Sequence, residues 1–418
     1  MKIQEIAAEA KKASAIIAKA NENQKNSALQ SIADLIRIRQ GEILVANLRD
    51  IEEAKVQGLS SSMIERLSLQ NKLSGIISDI ESVIKLKDPV GEVLEEYLHN
   101  QLTIKRTRIP IGVLGVIYES RPNVTIDVSC LAIKSGNCAI LRGGSEAIHT
   151  NKIIVGIIQD ALCKTELPKT AIQLLESTDR SEVLKMLKLH HFIDLIIPRG
   201  GAGLHQFCRE NSSIPVITGG IGICHLFVDE TAKIEKTLPL IANAKTQRPT
   251  VCNALDTLLV HEKIAFTFIP KLITQLSKLG VEFRLCPTSF NIVKKEQLEA
   301  SYQLAKEEDW DTEWLSLVLG IKVVSDLNRA IEHIVKHSTK HSDGIITENP
   351  AHAESFCRAI DSAAVYVNAS TRFTDGSQLG LGSEVAISTQ KLHARGPMGL
   401  KELTTYKWLI HGDYSVRT

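Results

Sequence analysis

The chain lacks any long apolar run: stretches such as Gly112–Tyr118 fall far short of the roughly 20 residues a membrane-spanning helix needs. Its first residues, Met1-Lys2-Ile3-Gln4-Glu5, turn charged at once and carry neither the apolar stretch nor the cleavage site of a secretory signal. The two absences predict a cytoplasmic protein. An excess of one charge is missing too. The net charge is +1, so no global field draws nucleic acid or an anionic membrane. Aromatic residues are only 4 %, which argues against a base-stacking surface. The eight cysteines (130, 138, 163, 208, 224, 252, 286 and 357) include no Cys-x-x-Cys pair. That spacing predicts neither a disulfide framework nor a structural zinc site, and most of them read as small buried hydrophobes. Cys224-His225 is the only adjacent Cys–His pair, and its place at the start of a predicted strand favours buried structural residues over a metal centre.

What is present is an ordinary soluble composition, 44 % hydrophobic and 23 % charged, over 418 residues. That length suits two or three domains. Residues 1 to 85 read as helices, with apolar residues three and four apart in Ile6, Ala10, Ala13 and Ile17 and again in Leu29, Ile32, Leu35 and Ile36. Asn21-Glu22-Asn23 and Gln57-Gly58 punctuate them. Asn100–Ile109 alternates Thr and Ile among basic residues and reads as an exposed β-ribbon, either a pairing arm or a plain surface hairpin. Apolar strands then alternate with helices: Gly112–Tyr118, Cys138–Leu141, Ala171–Leu175, Phe192–Ile197 and Ile214–Ile217, with helices Val124–Lys134, Ser145–Cys163, Ser181–Leu187 and Gly203–Glu210. This order predicts a parallel sheet covered on both faces, a Rossmann-like nucleotide-binding arrangement. A second α/β region follows, with strands at Leu226–Val228, Thr257–Val260, Val281–Leu285, Ile321–Val324, Gly344–Thr347 and Ala364–Val367. Between them lie helices Ile264–Leu279, Leu327–His337 and Ala351–Ala359. Thr404–Ile410 alternates like a terminal strand.

Four segments could carry chemistry. Pro198-Arg199-Gly200-Gly201-Ala202-Gly203 follows a strand and opens a helix, where free backbone N–H groups can cradle a phosphate; such turns also exist for packing alone. Leu141-Arg142-Gly143-Gly144-Ser145-Glu146 has the same context, and Arg142 stands where a cofactor 2′-phosphate could be held, or is a surface arginine beside a cap. Asn243–Asn253 places Cys252 near Lys245 and Arg248, and nearby cations raise a thiolate fraction. In Tyr118-Glu119-Ser120-Arg121-Pro122-Asn123, Asn123 is either an oxyanion donor or a helix N-cap.

Taken together, GVIYESRPNVTIDVSCLAIKSGNCAILRGGSEA (115–147), PVITGGIGICHLFVD (215–229), NAKTQRPTVCNALDTLLVH (243–261) and NASTRFTDGSQLGLGSEVAISTQKLHARGPMGL (368–400) resemble the gamma-glutamyl phosphate reductases of the aldehyde dehydrogenase superfamily. The likeness runs from about residue 5 to the C-terminus. It implies an α/β, aldehyde-dehydrogenase-like fold. An NADPH-binding domain would span residues 1–97 and 111–222, and a catalytic domain 223–390. Residues 98–110 and 391–418 would form an oligomerisation ribbon and tail.

The resemblance also assigns roles. Cys252 is the expected nucleophile and Asn123 the oxyanion-hole amide. Arg142, Gly143, Gly144, Ser145, Pro198, Gly200, Gly201 and Glu313 are expected at the cofactor, Glu313 at its nicotinamide ribose. Arg121, Lys245, Arg248, Arg372 and Arg395 are the candidates for the substrate's phosphate and α-carboxylate. The implied reaction reduces L-glutamyl 5-phosphate to L-glutamate 5-semialdehyde through a Cys252 thioester, with NADPH, in proline biosynthesis. The implied protein is a homo-oligomer, with a complex with glutamate kinase left open. Hydrolytic members of the superfamily carry a Glu just before a Gly-Gly pair; here Ile217 stands there, in Val216-Ile217-Thr218-Gly219-Gly220, and no carboxylate is available to activate water. The alternatives are another acyl-phosphate or acyl-CoA reductase of the superfamily and a binding protein that kept the fold.

Overall fold

The computed structural model describes residues 2–219 and 221–417. Gly220, the second glycine of the Gly-Gly pair, lies outside them, as do Met1 and Thr418. The chain divides into two units: Met1–Thr218 with Gly380–Ala386 and Pro397–Thr418, and Gly219–Leu379 with Ile387–Gly396.

The first unit opens with helices α1 (Ile3–Ile17), α2 (Glu22–Ile38), α3 (Gln40–Val56), α4 (Ser61–Leu67) and α5 (Leu73–Lys85). Asn21 caps α2 in a capping box with Gln24, and Gly58 turns the chain after α3 at φ 75°. A parallel sheet follows, in the order β5 (Ile172–Leu174), β4 (Cys138–Arg142), β3 (Val113–Tyr118), β6 (Leu195–Arg199). Every residue of β3 is buried, as its uninterrupted apolar run requires. Helices α6 (Pro122–Lys134), α7 (Ile148–Lys164), α8 (Arg180–Met186) and α9 (Ala202–Asn211) alternate with these strands.

Three expectations for this unit are corrected. Ile214–Ile217 is no strand: Pro215 has no N–H to give, and only a bridge between Val216 and Ile196 forms. The helix expected from Ser145 begins as a short 3₁₀ turn, Ser145–Ala147, and α7 starts at Ile148. Its first N–H groups are satisfied from elsewhere: the buried Asp50 carboxylate on α3 accepts from His149 N at 3.1 Å and Thr150 N at 2.8 Å. The ribbon, 98–110, and the tail from Pro397 on belong to the first unit, while 391–396 belong to the second. Strands β1 (Val93–His99) and β2 (Leu102–Pro110) pair antiparallel, and the C-terminal strand Thr404–His411 adds to the other edge of β2. Asn137 fastens this end by donating to Leu403 O at 2.8 Å.

The second unit is built on a seven-stranded parallel sheet. Its order is β10 (Tyr302–Leu304), β9 (Glu282–Leu285), β11 (Val318–Val324), β8 (Leu255–His261), β7 (Cys224–Val228), β12 (Ser342–Ile346), β13 (Ala364–Val367). The helices are α10 (Ile234–Thr246), α11 (Glu262–Ser277), α12 (Pro287–Lys295), α13 (Leu327–His337) and α14 (Pro350–Ala359). Phe268, Leu272 and Ile273 of α11 pack with Leu258, Phe283 and Leu319 of the strands in its main core. Helices α10 and α12 and strand β10 were not anticipated. Pro239 sits inside α10 and masks its periodicity. His225 at the start of β7 is fully buried, with Nδ1 3.0 Å from Asp343 Oδ1, in keeping with a structural histidine. Among the described residues no group of three or more His, Cys, Asp or Glu could hold a metal ion, and no helix is long and apolar enough to cross a membrane.

Candidate active site

Cys252 lies in the short connection between α10 and β8 and is the half-buried member of the cysteine set; Cys130, Cys138, Cys208, Cys224 and Cys286 are buried, and Cys163 and Cys357 exposed. Its main chain is clamped from two sides. The Cys224 thiol donates to Cys252 O at 3.2 Å. Gly222 presses against the same carbonyl so closely that a β carbon there would sit 1.6 Å from the oxygen. Burial, then the charges of Asp256 and Asp343, pushes the Cys224 thiol well above its ordinary range, so it stays protonated.

Glu313 belongs to the same cluster. It follows a 3₁₀ turn (Glu307–Asp311), and its Oε1 accepts from Gly222 N at 2.9 Å. Neighbouring Trp310 is buried, and Trp314 lies under the Arg284 guanidinium at 5.3 Å, which fixes the segment on both sides of Glu313. Arg372 reaches Asn253 and Gln247: its Nη1 donates to Asn253 Oδ1 and its Nε to Gln247 Oε1 at 3.1 Å. Asn253 in turn donates to Thr374 O at 2.9 Å. Burial, then the neighbouring charge of Arg248, holds the Arg372 guanidinium below its ordinary value, while Asp375 and the Cys252 and Cys224 thiols push the other way. Arg372 thus lies in the field of a second cation, Arg248, and of the Cys252 thiol.

Lys245 is not one of them, which corrects its place among the substrate ligands. It occupies the last turn of α10 and points inward, fully buried, donating to Leu255 O at 2.8 Å and lying 3.7 Å from Asp256. Burial lowers the Lys245 ammonium and raises the Asp256 carboxyl to about 6; each is the other's nearest opposite charge. Arg395 is also committed elsewhere: Nη1 donates to Asp361 Oδ1 at 2.6 Å, and Lys391 joins at 2.8 Å. The hydrogen bonds from these two cations pull the Asp361 carboxyl down to about 2.

The first unit carries the other candidates on the loops that leave β3, β4 and β6. Arg121 occupies the N-cap position of α6, with Pro122 first inside, so Asn123 is not the cap. Its Nδ2 donates instead to Asp127 Oδ2 at 3.0 Å, one turn on. Ser120 holds a left-handed backbone at φ 37°, and Glu146 stabilises it by accepting from Ser120 N at 2.7 Å and Oγ at 2.6 Å. Arg142 ends β4. Its Nη2 donates to Thr178 O at 3.1 Å, and its Nε is buried without a hydrogen-bond partner. Burial lowers this guanidinium; Glu146 raises it and Arg180 lowers it further. A second arginine therefore stands in its field, one that sequence reading did not single out. Gly143 has no room for a side chain, since a β carbon would meet Asn151 Nδ2 at 2.2 Å. Ser145 opens the 3₁₀ turn. Pro198 lies within β6, and Gly201 is the N-cap of α9. Gly201 N donates to a carboxylate of the same chain, Glu119 Oε2, at 3.2 Å, and a β carbon on Gly200 would meet that oxygen at 2.5 Å. The N–H at this helix start thus faces a carboxylate of its own chain.

The residues of the two units fit one family. A family model described as "Aldehyde dehydrogenase family" matches residues 1–308. The gamma-glutamyl phosphate reductase of Histophilus somni (strain 129Pt) is 51 % identical over 419 residues, covering all of both chains. The chain belongs to the gamma-glutamyl phosphate reductases of the aldehyde dehydrogenase family. These are oxidoreductases. The crystal structure of the Thermotoga maritima gamma-glutamyl phosphate reductase superposes with a TM-score of 0.96 at 49 % identity, covering 100 % of each chain. An acetylating aldehyde dehydrogenase from Geobacillus thermoglucosidasius shares the fold, with a TM-score of 0.73 at 19 % identity, 100 % of this chain and 97 % of that one. The α/β fold is therefore that of the aldehyde dehydrogenases, as the motifs implied.

Among the site's neighbours, Glu119, Glu146, Asp127, Arg180, Gln247 and Asn253 were not anticipated as partners. Only Asp127 left a readable signal: it stands four residues after Asn123 on a predicted helix, the spacing at which helical side chains meet.

Proposed function

We propose that this chain reduces L-glutamyl 5-phosphate to L-glutamate 5-semialdehyde and phosphate with NADPH, through a Cys252 thioester, as the second step of proline biosynthesis from glutamate. The observation that carries the reading is the full-length 51 % identity to a gamma-glutamyl phosphate reductase. The chemistry around Cys252 supports it. The half-buried thiol attacks the acyl carbon and phosphate leaves, taking the carbonyl carbon to a thioester. The Asn123 amide and the Cys252 N–H donate to the oxyanion. Arg372 and Arg248 supply positive charge for the phosphate; Arg121 is a further candidate for the α-carboxylate. A bound nicotinamide cofactor supplies the hydride that takes the thioester to the aldehyde level, and the Cys252 thiolate is then released.

The residues present fit that cofactor. Arg142 offers a buried, unpartnered Nε at the end of β4, where a carboxylate would repel a 2′-phosphate. Gly143, Gly144 and Ser145 keep its approach narrow, Pro198–Gly201 lie where the pyrophosphate passes, and Glu313 is assigned to the nicotinamide ribose. Ile217, 2 % exposed, stands in place of a water-activating carboxylate, which protects the thioester from hydrolysis. A homo-oligomer is proposed on the exposed apolar residues of the ribbon sheet, Leu98 at 75 % and Ile410 at 59 % exposure. Cytoplasmic location follows from the same reading.

The test runs the reaction backwards: NADP⁺ reduction with pyrroline-5-carboxylate, the cyclised semialdehyde, with and without phosphate. Phosphate-dependent NADPH formation in the wild type, lost in Cys252→Ala, is the expected result. Turnover that needs no phosphate would replace the reading with a hydrolytic dehydrogenase.

A further inference from the structure

Asp127 has no part in the mechanism above, yet it is a costly residue to keep. It lies on α6 one turn after Asn123, in a largely covered position. Burial pushes its carboxyl up to about 6; the Asn123 hydrogen bond lowers it, Asp79 on α5 raises it, and Arg199 at the end of β6 lowers it. Cys130, one turn further along α6, also feels its charge. Its hydrogen bond is the one it accepts from Asn123 Nδ2, at 3.0 Å. An apolar side chain at this helix position would avoid the cost of covering a carboxylate.

The chemistry of the pair gives that cost a purpose. An ionised carboxylate only accepts, so it cannot face the amide oxygen of Asn123. It selects the amide orientation in which Nδ2 faces Asp127, and one Nδ2 hydrogen is left for another acceptor. A protonated Asp127 can donate to Oδ1 and so permits the flipped amide.

We propose that Asp127 is a positioning residue: it locks the Asn123 amide in the orientation that keeps one N–H available to the oxyanion. The inference rests on the oxyanion role given to Asn123 under the proposed function.

The test is a double-mutant cycle on the full chain, reading kcat and KM in phosphate-dependent NADP⁺ reduction with pyrroline-5-carboxylate. Asn123→Ala is expected to lower kcat by about 100-fold or more, the usual loss for one oxyanion donor. Asp127→Ala lowers kcat by roughly 10-fold and leaves KM within about twofold, since only the orientation of one donor is loosened. In the Asn123→Ala background, Asp127→Ala has no further effect, because its route to the chemistry is gone. Asp127→Asn, like the protonated acid, can donate to Asn123 Oδ1 and permits the flipped amide, so its kcat is expected to lie several-fold below wild type at neutral pH and to lack the fall in kcat expected of the wild type below about pH 6. Three results would overturn the proposal: wild-type kcat in Asp127→Ala, a full additive loss in the double variant, or an unchanged acid limb in Asp127→Asn. Wild-type kcat in Asn123→Ala removes the oxyanion reading itself, and the inference with it. Should Asp127→Ala fail to fold by circular dichroism, Asp127→Asn and its pH profile decide the matter.

Discussion

Replacing Gly222 by alanine should disable the site without touching any group that takes part in the chemistry. A β carbon at Gly222 would lie 1.6 Å from Cys252 O, 2.5 Å from its carbonyl carbon and 3.0 Å from its Cα. All three obstacles are backbone atoms, so no side-chain rotation relieves the clash. Restoring even 3.0 Å to the oxygen requires a separation of about 1.4 Å, the difference of the first and last of those distances. Either Cys252 moves away, or Gly222 does and the hydrogen bond from its N–H to Glu313 Oε1, 2.9 Å long, is lost. A misplacement of about 1 Å can cost on the order of 100-fold in rate. We therefore expect kcat to fall by about 100-fold or more, roughly 2.7 kcal/mol of barrier. Overpacking should add about 1–3 kcal/mol of lost stability. The assay is phosphate-dependent NADP⁺ reduction beside the rate at which iodoacetamide alkylates Cys252, with folding followed by circular dichroism. Gly156→Ala is the control. It sits inside α7, where a β carbon meets nothing within 4 Å, and alanine there should stabilise by about 0.4–1 kcal/mol without changing kcat. A Gly222→Ala protein with kcat within about threefold of wild type and an unchanged alkylation rate would refute the reasoning.

The Glu119 carboxylate occupies the Gly201 N–H that the proposed cofactor site assigns to a pyrophosphate. Glu119→Gln should tighten NADP⁺ binding about 2- to 5-fold by removing a competing charge at a helix N-terminus, and an unchanged Kd by isothermal titration would reject this. Asp127 yields a stability prediction apart from its role in turnover. Its folded-state pKa of about 6 lies above the ordinary 3.8, so the folded chain holds the proton more tightly. The stability this provides is full below about pH 4 and is lost as pH rises through about 6. Asp127→Asn removes that loss, so its stability relative to wild type should improve by about 1–2 kcal/mol between pH 4 and pH 8, a figure discounted for partial exposure. Urea midpoints at the two pH values decide it; an offset that does not change with pH counts against the assignment.

The strands were legible in the sequence because a parallel sheet covered on both faces writes itself as unbroken apolar runs. Val113–Tyr118 and Leu255–His261 are buried along their whole length. Elements failed to show where a local rule was broken and the break was repaired from a distance. Pro239 within α10 removes a donor and breaks the pattern of Ile234–Thr246, yet Leu238, Ile241 and Ala244 pack into the core and hold the helix. The start of α7 was misplaced for the same reason: its cap is Asp50, a hundred residues earlier on α3. A window of sequence contains the need for a cap but not the group that answers it.

The same limit governs the site. The expectation of a raised thiolate fraction at Cys252 rested on Lys245 and Arg248 being near in sequence, and Lys245 does not supply its charge there. A helix turns Lys245 inward, where burial makes Asp256 its obligatory partner, and a lysine so placed offers no charge to a ligand. The cation that does feel the thiol, Arg372, arrives from beyond β13, more than a hundred residues later. Adjacency in sequence therefore supports a statement about the chain's path, such as a glycine turn opening a helix, better than one about a field, which depends on where each charge is spent. The roles assigned to Asn123 and Cys252 come from the resemblance and not from any count of neighbouring charges. The structure adds which charges are already committed, Lys245 to Asp256 and Arg395 to Asp361, and that Arg372 lies in the field of both Arg248 and the Cys252 thiol.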